Sequence, residues 1–244
     1  LLDLGAAGCR ISWGGESFEI KAEKGSGYPC VEVSWYGAAA YCNYRSEMEG
    51  LTPCYNLNDW SCNLGAGGYR LPTDEEWEYA ARGGAIGKRF AWGGDTISHA
   101  QANYRSYSHS GDYDLSRGAG YHPDYDDDPI PYTSPVGSFA PNAYGLYDLN
   151  GNVFEWCHSW PCSEGGNYLY RGGAWSHGVM ASRVGGRGGK YPFVADYSTG
   201  FRAVRPAVPW MGATGFEEKS PGTLLVDQSL AQYEADVITL SPGS

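Results

Sequence analysis

Glycine and proline interrupt this chain so often, 36 and 14 times in 244 residues, that regular helix and sheet should be sparse and turns many. The material left for a core is large rings, 9 Trp, 20 Tyr and 7 Phe, each of which buries a large apolar area. Rings run through the first 210 residues, which argues against disorder there, since disordered segments are poor in them. After Trp210 they nearly vanish, and the composition turns to Ser, Glu, Asp, Thr and Leu. The expected organisation is one domain over 1–208, followed over 209–244 by a linker or the truncated start of a second domain, with the chain forming part of a larger polypeptide.

The formal net charge of −11 argues against nucleic acid and anionic membranes as partners, because both are bound through clustered Lys and Arg. No stretch approaches the run of about 20 apolar residues that crosses a bilayer, so no membrane insertion is expected. Seven cysteines cannot all pair with one another. Cys54 with Cys62, and Cys157 with Cys162, are close enough in sequence for local disulfides in an oxidising compartment; buried free thiols are the alternative.

Two helices are legible. Val31-Glu32-Val33 reads as a short strand, and after Ser34 the residues Trp35, Ala38, Ala39 and Cys42 follow the spacing of one helical face, predicting a helix over 35–48 that ends at Gly50. Thr73-Asp74-Glu75-Glu76 fits a capping box, predicting a helix to Arg82 that buries Trp77, Ala80 and Ala81 and stops at Gly83-Gly84. Beyond Phe90 the sequence offers only short aromatic pieces between Gly, Pro, Asn and Asp, the pattern of long loops over small strands. The run Asp124-Tyr125-Asp126-Asp127-Asp128 reads by itself as a solvated acidic loop.

Three segments carry a resemblance in their order and spacing. They are Gly68-Tyr-Arg-Leu-Pro-Thr-Asp-Glu-Glu-Trp-Glu-Tyr-Ala-Ala-Arg82, Gly145-Leu-Tyr-Asp-Leu-Asn-Gly-Asn-Val-Phe-Glu-Trp156, and Arg171-Gly-Gly-Ala-Trp175 with Gly200-Phe-Arg202. Together with Val33-Ser34-Trp35 they resemble the formylglycine-generating enzyme (sulfatase-modifying factor) family over about 28–206. The resemblance implies an α+β, C-type-lectin-like fold, with two helices on small twisted sheets and much irregular loop. Arg70-Leu71-Pro72-Thr73 reads as a sharp strand-to-helix turn, Gly172-Gly173 as a close backbone approach to the Trp cluster, and Gly200-Phe201-Arg202 as a last strand.

Residue by residue, the resemblance implies structural calcium, one or two ions. One would be held by Asp148 and Glu155 through side chains with the Gly151 and Val153 carbonyls; the other by Asn103 and Asp128 with the Tyr104 and Ile130 carbonyls. Hard cations take such oxygen sets, although Asx-turn chemistry also explains the first segment. Family enzymes oxidise a peptide cysteine with two thiolates that hold copper. Here His177 stands at the first thiol position, Ala174 replaces a serine, Phe154 replaces a pocket Trp, and no cysteine follows Cys162. No copper is therefore expected, and no catalytic residue is assigned.

The resemblance implies that the same position is lined by Trp175, Ser176, His177, Ser182, Arg187, Lys190, Tyr191, Phe193, Asp196 and Tyr197, a mixture of rings, small residues and single charges suited to adaptable recognition. The expectation is a non-catalytic module that binds a protein or glycan, in an extracellular or cell-surface setting. The segment between Ala174 and Arg183 is a few residues shorter than in the family enzymes it resembles, and a branch with such a shortened loop includes the variable proteins of diversity-generating retroelements. The composition of 176–199 is compatible with diversification, and binding of fixed specificity is the alternative. An enzyme of altered metal chemistry and a silent structural paralogue remain the alternatives.

Overall fold

The computed structural model describes residues 9, 11–13, 18–20, 27–127, 130–158, 166–206 and 224–226. Helix α1 spans Trp35–Met48, and its N-cap Ser34 accepts a hydrogen bond from the Gly37 amide. Trp35, Ala38, Ala39 and Cys42, the residues of the predicted face, are fully buried. Helix α2 spans Asp74–Arg82, has both bonds of the capping box, and ends on Gly83 in the left-handed region at φ 53°. Its Trp77, Ala80 and Ala81 are buried.

The strands are short, as the glycine content requires. Ile11–Trp13 (β1) and Phe18–Ile20 (β2) form an antiparallel pair. Phe154–Trp156 (β3), Tyr168–Arg171 (β4), Arg187–Lys190 (β5) and Thr199–Phe201 (β6) form one sheet in the order β5-β4-β3-β6. The β3–β6 pair is parallel and the others are antiparallel. Gly200-Phe201 is not the last strand: Val204–Pro206 (β7) follows, and Leu224–Val226 (β8), inside the segment read as linker, pairs with it. This is the expected α+β architecture.

The largest core gathers on Trp35, whose ring stacks on Tyr168 at 4.0 Å and meets Tyr55 edge-on at 5.6 Å. Both indole donors in this core are satisfied by backbone: Trp35 Nε1 donates to the Cys157 carbonyl and Trp156 Nε1 to that of Val33. Cys54, Cys62 and Cys157 are free thiols, so the disulfide alternative fails for them; Cys162 lies outside the described residues. Burial raises the Cys62 thiol to about 11.

The three recognised motifs interlock. Arg70 grips both oxygens of Glu76, at 2.6 and 2.7 Å, while the same Glu76 accepts from the Thr73 amide, so the turn and the helix cap share one carboxylate. Arg171, 1% exposed, donates to Asp74 at 2.5 Å and Glu78 at 3.0 Å on the first turns of α2. Trp77 Nε1 donates to Glu155 at 2.6 Å, and Arg202 holds both Glu155 oxygens, at 2.6 and 2.5 Å. Gly172, at φ 92°, lies where a Cβ would come within 3.2 Å of the Trp77 ring, and one at Gly173 would strike the Ser182 backbone at 2.7 Å. Helix α2, strand β3 and the Arg171–Gly173 turn are thereby fixed at the centre of the domain.

Candidate functional site

The sheet order brings the expected binding residues together. Strand β6 lies beside β3, so Asp196–Ser198 approach Phe154; strand β5 lies beside β4, so Lys190 pairs with Tyr168 across the ladder. Phe154 and Tyr170 form the floor, ring to ring at 4.5 Å. His177 stands edge-on to Phe154 at 4.7 Å, and the Lys190 ammonium lies 4.8 Å from the centre of the Tyr170 ring. Lys190 is paired with Asp196 and donates to Thr199 Oγ1 at 2.7 Å.

The electrostatics of this floor are settled internally. Burial pushes the Asp196 carboxyl up, but Lys190 and the Ser198 hydroxyl and amide hold it below the usual carboxylate range. Partial burial and the nearby Lys190 charge lower His177, so its imidazole is neutral at physiological pH. Its Nδ1 lies 3.0 Å from the Ser176 hydroxyl.

Not every expected residue reaches the surface. Trp175 and Ser182 are buried, at 3% and 0% exposure, beneath the face. Trp175 is held by the Tyr121, Tyr132 and Tyr197 rings and donates from Nε1 to the Tyr197 carbonyl. Tyr191, Phe193 and Tyr197 are exposed, at 52%, 68% and 42%, and the first two stack in parallel at 5.4 Å. Arg187 is exposed and bonds Asp74 at 3.1 Å, tying the face to α2.

A strap that no sequence motif marks completes the face. The Arg105 amide donates to the His177 carbonyl, and the Arg105 guanidinium lies between the Tyr107 and Tyr121 rings, at 5.0 and 4.6 Å. Tyr107 lies against Gly178, where a Cβ would meet its ring at 3.0 Å. The only sequence signal was the run Tyr104-Arg105-Ser106-Tyr107, which has no periodicity to mark it.

The oxygen-rich segments lie side by side. Asp148 and Asn152 adopt φ 55° and 63°, and Gly151 φ 87°, a tight loop in which a Gly151 Cβ would lie 2.3 Å from the Asn103 carbonyl oxygen. Asp148 Oδ2 accepts from the Gly137 amide at 2.6 Å, whereas its Oδ1 is buried with no hydrogen-bond partner. Burial raises this carboxyl to about 6, with Arg202 and Glu155 near enough to act on it. Glu155 is committed to Trp77 and Arg202, but three donors leave one of a carboxylate's roughly four acceptor sites open. An orphaned buried oxygen beside a second carboxylate fits a hard cation.

Of the second set, Asn103, Tyr104 and Ile130 are among the described residues. Asn103 is buried and donates from Nδ2 to the Tyr132 carbonyl, the Tyr104 carbonyl lies 3.0 Å from His99 Nε2, and Ile130 is exposed. Asp128 lies outside the described residues; its neighbours Asp124, Asp126 and Asp127 are exposed.

The sequence is 36% identical over 182 residues to the chaperone protein LppX of Paenibacillus barcinonensis, covering 66% of this chain and 64% of that one. It is 35% identical over 187 residues to the inactive C-alpha-formylglycine-generating enzyme 2 of Bos taurus, covering 74% and 51%. Thus it spans between half and two thirds of the length of these relatives. Among solved structures, Treponema denticola variable protein 1 superimposes with a TM-score of 0.59 at 26% identity, covering 82% of this chain and 77% of that one. Residues 6–207 match the sulfatase-modifying factor enzyme 1-like domain, and the chain belongs to that family.

Proposed function

We propose that this domain is a non-catalytic ligand-binding module, with its binding face over 175–199 and the adjoining 105–121 strap, on a scaffold braced by calcium. The observation that carries the reading is the chemistry at the face. Where family enzymes need two thiols the stretch from 175 onward has none, and the position is filled by a closed Lys190–Asp196 pair and an exposed, neutral His177, with exposed Tyr191, Phe193 and Tyr197 on the same stretch. Neither arrangement supplies the thiolates that soft Cu(I) favours. Exposed rings on a rigid floor are the usual anchors of recognition surfaces.

The relatives support this reading: one is named inactive, one a chaperone and one a variable protein. The bound partner would be a protein or glycan, and the 176–199 stretch is where diversification would change specificity without disturbing the core.

The face and the fold should separate experimentally. Substituting Ala for Tyr191 and Phe193, which are more than half exposed, is expected to shift the melting temperature by no more than about 2 °C, because exposed side chains contribute little to stability. The same substitutions should weaken binding of ligands selected on the wild-type protein. Unfolding of these variants, or unchanged ligand binding by folded variants, would place the binding surface elsewhere.

A further inference from the structure

The stretch 171–206 carries six basic residues and one acidic one, in a chain whose totals are 17 and 28. Most of these cations are already neutralised: Arg171 and Arg187 by Asp74, Lys190 by Asp196, Arg202 by Glu155. Among the described residues, Arg89, Arg105, Arg183 and Arg205 have no carboxylate within ion-pair distance, while Arg89 also donates from Nη1 to the Asp95 carbonyl at 3.3 Å and its charge reaches the Asp95 carboxylate. Arg205 lies over the Tyr69 ring, on β7. The other three converge on the turn 177–184.

Their placement follows from contacts. The Arg105 amide bonds the His177 carbonyl at 3.1 Å, and Arg183 Nε donates to the Met180 carbonyl at 3.3 Å. Arg89 lies over the Tyr113 ring at 5.0 Å, Tyr113 Oη touches Met180 Sδ at 2.8 Å, and the Arg89 carbonyl accepts from the Val184 amide. Ring stacking restrains the Arg89 and Arg105 guanidiniums before any ligand arrives, so less freedom is lost when each forms the paired hydrogen bonds that its planar fork makes with a carboxylate.

Resting on the ligand-binding reading above, we propose that the turn 177–184 anchors an acidic peptide segment of a partner protein, whose carboxylates are read by Arg89, Arg105 and Arg183. A peptide fits better than a sugar because Met180, 57% exposed at the centre of the turn, offers a flexible apolar thioether suited to side chains. The chain's overall negative charge does not prevent this at physiological ionic strength, where charges beyond about 8 Å are largely screened.

The test is to pan a phage-displayed random dodecapeptide library on the full chain and to measure enriched peptides by fluorescence anisotropy. Peptides rich in Asp and Glu should be enriched, with Arg105→Gln and Arg183→Gln each weakening them roughly tenfold while the melting temperature is unchanged. Their Asp→Asn and Glu→Gln versions should bind no better to wild type than the originals bind to the variants. Enrichment of uncharged or basic peptides that need Tyr191 and Phe193 would overturn this inference and leave the module reading intact. Binding of a heparin oligosaccharide in preference to every acidic peptide, or no enrichment at all, would also overturn it.

Discussion

Replacing Glu155 with Ala is expected to lower the melting temperature by about 10–20 °C. This carboxylate is 5% exposed and takes donors from Trp77 and from both arms of Arg202. Removing one partner of a buried ion pair costs about 3–5 kcal/mol, because the other charge is left buried and unpaired. The orphaned Trp77 donor adds to the loss. Against a typical domain stability of about 5–15 kcal/mol, and at about 2–4 °C per kcal/mol for a domain of this size, the shift should be plain in a thermal melt followed by circular dichroism. Glu155→Ala combined with Arg202→Met should recover part of it, since the stranded charge is then gone. A single variant that melts within 2 °C of wild type would mean that the three motifs are not joined through this carboxylate.

The second large expected effect concerns Asp148 and, on the proposed calcium bracing, should reverse sign with calcium. Its carboxyl is raised to about 6 in the folded protein from an ordinary value near 3.8, chiefly by burial. A raised carboxylate pKa means that ionisation costs stability: the folded state is favoured below pH 4 and loses ground as pH rises through 6, by on the order of 3 kcal/mol. In chelator, Asp148→Asn should therefore match wild type near pH 4 and melt about 6–12 °C higher at pH 7. With calcium present the order should invert, because the cation stabilises the charged carboxylate of wild type and finds none in the variant. Glu76, Glu78 and Asp196 have lowered values and lose stability as pH falls, so the comparison must be variant against wild type at each pH. An Asp148→Asn difference that is the same with and without calcium would remove the metal from this loop.

The parts legible in the sequence were those set by near neighbours. The Thr73–Glu76 cap and the Trp35–Cys42 face depend on residues within two turns, and both helices have the expected bounds. The three motifs were visible as an ordered set, but not why they occur together: the Trp77–Glu155, Arg171–Asp74 and Arg202–Glu155 contacts join residues 47 to 97 positions apart. Trp175 and Ser182 looked like surface candidates because loop composition says nothing about what closes over it. Tyr121 and Tyr132, brought from more than 40 residues away, cover the Trp175 ring. The Arg105–Tyr107 strap shows in the sequence only as an unpatterned run of rings and a charge, since a ring–cation–ring sandwich has no sequence period. The resemblance assigns the Glu155 oxygens to a metal, and the arginine that shares them is brought there only by the pairing of β3 with β6.

The decisive assay supplies the purified protein with copper, oxygen, a reductant and a synthetic peptide bearing one cysteine, and follows the peptide by mass spectrometry. If the face is a binding surface without thiols, the peptide should keep its cysteine at every time point. Conversion of that cysteine to an aldehyde, at a rate proportional to protein, would show that the site performs the family's oxidation without the sulfur ligands and would refute the binding-module reading.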